Sequence, residues 1–329
     1  MKLAGKDIQR LRNQSVELET KGKTWFVDGS ISASGAGKNW ATSFKTIQEA
    51  VDAAASHDWI KIAPRDIPIT STDPVSYAET IIIPNTKPFL TLEGVSRGRT
   101  QGGLPQIKIG AGSTAVLTIR APGCLIKNLG FNGGSSTGGG ILLDDNGTTK
   151  VAFGTTIQDC HFKNCAGATS ADTGGAIQIG SDGGAWQLRV ERCSFFRCMG
   201  GVINKGTGQA RPVDIVIEDC LFYTNDTALV DCDIYLMGGD GVDGLVIRNC
   251  TFATRTVPAY AGTSRYIKLT GCTDGLISGC TFNCLANVTA TELTWGTAGT
   301  AAFIPSAVGI AGCYGVSTTR GETGEIGNL

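Results

Sequence analysis

Charge is scarce in this chain. Only 17% of its 329 residues are charged, and 28 basic residues stand against 29 acidic ones. A net charge of −1 offers no basic surplus for nucleic acid, and no acidic tail is present. Long apolar runs are missing too, since no stretch approaches the ~20 residues that a membrane helix needs. The opening "MKLAGKDIQRLRNQSVELETKGK" is polar and lacks the apolar segment of a secretory signal. These absences lead to the expectation of a protein made in a cytoplasm, with neither nucleic acid nor membrane among its partners. Aromatic residues, at 7%, leave few rings for a stacking surface.

Glycine and apolar residues are plentiful, with 46 glycines and 41% hydrophobic residues. Low charge with abundant glycine points to many short strands joined by turns. Twelve cysteines would suggest disulfides in a small secreted domain, but this chain is long and its cysteines recur inside apolar hexapeptides. A buried free cysteine behaves as a small hydrophobe, so mostly reduced thiols are expected.

The hexapeptide is the dominant pattern. It reads "IKNLGF" from 126, "IQDCHF" from 157, "VERCSF" from 190, "IEDCLF" from 217, "IRNCTF" from 247 and "ISGCTF" from 277. Its central residues, Leu129, Cys160, Cys193, Cys220, Cys250 and Cys280, are spaced 31, 33, 27, 30 and 30 apart. Cys220 and Phe222, two apart, share one face of a strand, whereas Ile217 would turn outward. A bend at Asp219, or at Asn249 in the next copy, returns it to the core. A second apolar segment follows each hexapeptide, as in "AIQIGSDGG" (176–184) and "YIKLTGCTD" (266–274). A repeat of about thirty residues with two or three short strands predicts stacked parallel coils, a β-helix. Propeller blades need about 40 residues or more. The fold class is therefore all-β, a parallel β-helix solenoid over 23–284. A capping helix at 44–55 carries Ile47, Ala50, Val51 and Ala54 on one face. Residues 1–22 form an N-terminal arm or anchor, and 285–329 a C-terminal cap or subunit-contact tail.

A resemblance supports this. The stretch "WFVDGSISASGAGKNWATSFKTIQEAVDAAASHDWIKIAP" is similar to the opening segment of right-handed parallel β-helix proteins of the pectin-lyase-like superfamily. Val27, Asp28, Trp40, Phe44, Ile47, Gln48, Ala50, Asp52, Ala53, Ala63 and Pro64 match its pattern, and Arg65 replaces the usual glycine. The "I..C.F" coils also resemble β-helix proteins of tailed bacteriophages, and the likeness covers about residues 24–284. It implies a structural virion protein without catalysis, assembled in the host cytoplasm: a capsid decoration, fibre or spike-like component. Such a component would be a homotrimer contacting other virion proteins such as capsid or tail, and would need no cofactor. The alternatives are a tailspike depolymerase, acting on a surface polysaccharide by lyase or glycoside hydrolase chemistry, and a glycan-binding adhesion module.

The catalytic set of polygalacturonate hydrolases is incomplete here. Their Gly-His-Gly element is missing, and the two histidines, His57 and His161, are expected to face solvent. If the chain is an enzyme, its candidates are Asp144, Asp145, Asp231, Asp233 and Lys268, with Lys205 and Arg265 as further cations. Asp145, Asp182, Asp240 and Asp274 each follow the second strand of their repeat. They could form a Ca²⁺-binding row, or simply be turn residues capping amides. The cysteine pairs are read as an interior ladder rather than a zinc site, because ligands must converge. Cys165 and Cys198 form a second short ladder, with a disulfide as the lesser alternative. Trp186, Tyr223, Tyr235 and Tyr260 are the rings left for stacking on sugar.

Overall fold

The computed structural model describes residues 22–68, 70, 73–98, 103–134, 139–144, 152–165, 175–180, 186–204, 213–224, 232–254, 265–272, 274–284, 302–303, 308–317 and 322–326. The expected N-terminal arm lies outside these except for Gly22. The chain is a parallel β-helix built on three sheets. Among the described residues, sheet A has ten strands, from Thr24–Val27 to Val308–Ala311; sheet B has ten, from Tyr77–Ala78 to Glu322–Ile326; sheet C has eight, from Ile81–Ile83 to Ala302–Phe303. Neighbouring strands come from successive coils and pair parallel, as Thr156–Gln158 does with Arg189–Glu191. Cys313–Ser317 pairs antiparallel with Glu322–Ile326 at the C-terminal end.

Each hexapeptide makes the corner between sheets A and B. Val216–Glu218 belongs to sheet A, Asp219 turns the chain at φ 54°, and Leu221–Thr224 belongs to sheet B. The same left-handed bend occurs at Asn128, Asp159, Arg192, Asn249 and Gly279, with φ between 51° and 61°. Asn, Asp and Gly enter this region most easily. The bend amides stay in the ladder, Asp219 donating to the Arg248 carbonyl at 3.1 Å. The expected inward return of Ile217 follows from this geometry, and Ile217 and Cys220 are both buried.

Inside the corner, Cys160, Cys193, Cys220, Cys250, Cys280 and Cys313 are each at most 2% exposed. Every thiol has a carbonyl two residues earlier as acceptor, Glu218 at 3.2 Å for Cys220. Cys220 also reaches the Val190 carbonyl of the preceding coil at 3.6 Å. A small apolar residue with a weak donor suits a position crowded by carbonyls. All ten cysteines with described side chains are free and buried, Cys165 and Cys198 among them. Two residues on, Phe131, Phe162, Phe195, Phe222, Phe252 and Phe282 stack with centroids 4.6–5.1 Å apart and planes within 14°. Gly201 faces this stack, where an added Cβ would come within 2.4 Å of Phe222 Cε1.

The capping helix is Ile47–Ala53, shorter than the expected 44–55. Phe44 is held instead in a bridge with Val27, and Thr46 with Glu49 forms a capping box. Ile47, Ala50, Val51 and Ala54 are buried against the first coil. The Glu79 carboxylate accepts from the Ile47 and Gln48 amides at 2.9 and 3.0 Å, and burial, outweighing these bonds, raises its pKa. At the other end, the Lys87 ammonium donates to the carbonyls of Val51, Asp52 and Ala54 at 2.6–2.8 Å. A carboxylate at the N-terminus and an ammonium at the C-terminus match the helix dipole. Among the described residues, no helix is long and apolar enough to cross a membrane.

Candidate functional site

The corners between sheets A and B are aligned from coil to coil, and they border a groove of about 550 Å³. Lys127, Asp159, Arg192 and Asp219, from four successive coils, line it, and Arg97 and Ser194 add to its walls. All but Arg97 and Ser194 come from the two positions between the aliphatic residue and the central Leu or Cys of the hexapeptide.

Arg192 sits at the middle of this row. Its Nε and Nη2 donate to the two oxygens of Asp159 at 2.9 and 3.2 Å, a bidentate pair. That bond raises the guanidinium's pKa above its ordinary value, against the opposing effect of burial. Arg192 also adopts φ 51° where neighbouring corners have Asn or Asp. A left-handed arginine costs roughly 1–3 kcal/mol, and such strain concentrates at functional sites.

Beside the groove, the outer face of sheet A carries an in-register row of Lys61, Glu93, Lys127, Gln158, Glu191, Glu218 and Arg248. Glu191 accepts from Arg189 at 3.0 Å and from Gln158 at 3.3 Å. Glu218 is paired with Arg248. Within the row, Gln158 with Glu191 and Glu218 with Arg248 orient one another.

On the sheet B side, His161 and Ser194 occupy paired positions of adjacent coils. His161 Nδ1 lies 2.7 Å from Ser194 Oγ. The sequence led to the expectation of an exposed His161; the side chain is in fact only 6% exposed. Alternation assumed a bare outer face. Lys163, on that same face, is bonded to Asp73 at 2.5 Å, so a residue ninety positions earlier in sequence reaches this face. His57 is exposed, as expected, and stacks on Phe89 with centroids 4.7 Å apart.

The other sequence candidates are dispersed. Asp144 accepts from Arg120 Nε at 2.7 Å at the end of a sheet C strand. Asp233 is 3% exposed, in a sheet C strand between Cys232 and Ile234. Lys268 places its ammonium 4.7 Å from the Tyr235 ring centroid. The Asp274 carboxylate caps the Gly244 amide of the preceding coil. Asp145, Asp182, Asp231, Lys205 and Tyr260 lie outside the described residues, as do the side chains of Asp240 and Arg265. None of the described candidates lines the groove. Among the described residues no three His, Cys, Asp or Glu side chains gather in a metal-holding cluster. The groove residues were missed because their positions were read only as turn chemistry. An arginine at a corner otherwise held by Asn, Asp or Gly was the available signal.

No protein-family model and no curated protein sequence matches the chain. Solved structures share its parallel β-helix fold. The pectin methylesterase from Aspergillus niger superposes with a TM-score of 0.52 at 12% identity, covering 94% of this chain and 90% of that one. An alginate lyase from Paenibacillus sp. does so with a TM-score of 0.52 at 15% identity, covering 93% and 99%. At these identities the likeness is one of fold.

Proposed function

We propose that this chain is a polysaccharide-recognising β-helix that holds an extended acidic glycan along the corner groove. The observation that carries this is the groove's periodicity. Polar side chains from four successive coils repeat at the ~4.8 Å strand spacing, and a linear array suits a linear polymer. Fixed charged groups bond sugar hydroxyls and carboxylates with little ordering cost. Arg97 and Lys127 place positive charge at one end of the groove. The polysaccharide-acting names of the fold neighbours agree with this reading.

Asp159 and Asp219 lie two coils apart, ~9.6 Å at the ~4.8 Å spacing. That exceeds the ~5 Å of a retaining glycosidase pair and lies at the upper edge of the ~6.5–9.5 Å of an inverting pair, but the Asp159 carboxylate is held by Arg192 through both oxygens. Recognition is therefore proposed ahead of glycosidic cleavage. The resemblance of the coils to tailed-phage proteins supports carrying this surface on a virion, as a homotrimeric fibre, spike or decoration. Light scattering and a particle reconstruction test that context.

The binding test is isothermal titration of the full chain with polygalacturonate, alginate and bacterial exopolysaccharides. Binding to at least one polymer, weakened about tenfold or more by Lys127→Ala with Arg192→Ala, is expected. Binding that survives both substitutions unchanged, or no binding across the panel, overturns the proposal.

A further inference from the structure

We propose that Ser194 and His161 form a nucleophile–base pair that hydrolyses acyl esters, including O-acyl groups on a polysaccharide held in the groove. The polymer part of this inference rests on the groove reading above; the chemistry of the pair does not.

The two side chains meet at 2.7 Å, within the reach expected of a nucleophile and its base. Their settings differ in the useful way. Ser194 lines the groove, while His161 is 6% exposed. A reacting carbonyl can thus reach the hydroxyl while the base is shielded from bulk water. The backbone fixes the contact, since His161 and Ser194 are register partners in sheet B. The equivalent positions of nearby coils hold Gly130, Leu221 and Thr251, none of which supplies a base. The pair is therefore a local departure from the repeat. It adjoins the strained Arg192 corner, since Ser194 lies two residues after Arg192 and both line the groove.

The step balances without any co-reactant except water. Ser194 Oγ bonds to the acyl carbon as its proton passes to the His161 nitrogen. The carbon–oxygen bond to the alcohol then breaks, and the departing oxygen takes that proton. Water attacks the acyl-serine, giving a proton to His161. Ser194 Oγ leaves with the proton returned, and a carboxylic acid is released.

The test uses the full chain with p-nitrophenyl acetate and a fluorophosphonate probe. Turnover above the buffer rate and labelling that peptide mapping places on Ser194 are expected. Ser194→Ala should fall to the buffer rate, and His161→Gln should lose about 10²-fold or more, both with unchanged circular dichroism. Turnover that persists in Ser194→Ala overturns the proposal. So does a wild-type chain that neither turns over nor labels, a result independent of how the variants fold. A third arm follows acetate release from an O-acetylated polysaccharide. Hydrolysis of the small ester without release from the polymer keeps the pair and counts against the groove as a polymer site.

Discussion

The phenylalanine stack gives a quantitative test of how this solenoid is held together. Phe222 is fully buried, with Phe195 and Phe252 at 4.6 and 4.9 Å on either side and both planes within 4°. Removing the ring in Phe222→Ala loses about 2–3 kcal/mol of apolar transfer, and the remaining cavity raises the total to about 3–5 kcal/mol. The upper end is expected, because Gly201 facing the ring has no side chain to move into the gap. Phe131 provides the comparison. It has Phe162 at 5.1 Å on one side but Ile107 as its register partner on the other. One stacked aromatic pair adds about 0.5–1.5 kcal/mol beyond area, so Phe131→Ala should cost less than Phe222→Ala by about that amount. Urea unfolding followed by circular dichroism measures both, with equal m-values required because solenoids can unfold in parts. Equal costs for the two variants, or a Phe222→Ala cost below about 1.5 kcal/mol, would refute the reasoning.

Three further outcomes follow from particular contacts. Asp58 is buried, and although burial opposes its charge, hydrogen bonds from Ala55, Trp25 and Lys23 hold its pKa below the usual value. A depressed folded pKa contributes stability above the unfolded carboxylate's pKa, and that stability is lost as pH falls through the folded value. The urea midpoint should therefore drop on acidification below about pH 4, and Asp58→Asn should remove that part of the drop. At the corner, Asp219→Gly should leave stability within about 0.5 kcal/mol while Asp219→Val costs about 1–2 kcal/mol, since φ is 54° there; thermal melts compare the two. Burial pushes the Cys124 thiol up to about 12 and raises Cys193 and Cys220 well above the ordinary range. Iodoacetamide at pH 8 should thus leave these three unmodified in the folded chain and alkylate them in urea, as mass spectrometry of the peptides would show.

The parts of this molecule that were legible in its sequence are those that repeat. Cysteine and phenylalanine two apart announced the interior, and the odd three-residue step back to Ile217 required a corner, which Asp219 makes. Legibility failed where the repeat changes. "IAGCYG" at 310–315 continues the corner with Cys313 buried, but Gly315 stands where phenylalanine would be. The strands Val308–Ala311 and Cys313–Ser317 nevertheless extend sheets A and B past residue 284. His161 failed for another reason: strand alternation says only which face a side chain takes, and its contact with Ser194 of the next coil is not a local pattern. The groove was hidden because a consensus averages over the positions that build it. A solenoid satisfies its core with the same side chains in every coil, so its chemistry must come from the positions at which one coil differs from the next. Arg192, at a left-handed corner where neighbouring coils have Asn or Asp, is such a position, as are His161 and Ser194. Local propensity works against that arginine, and the sites where local and global preferences conflict are the ones to examine for function.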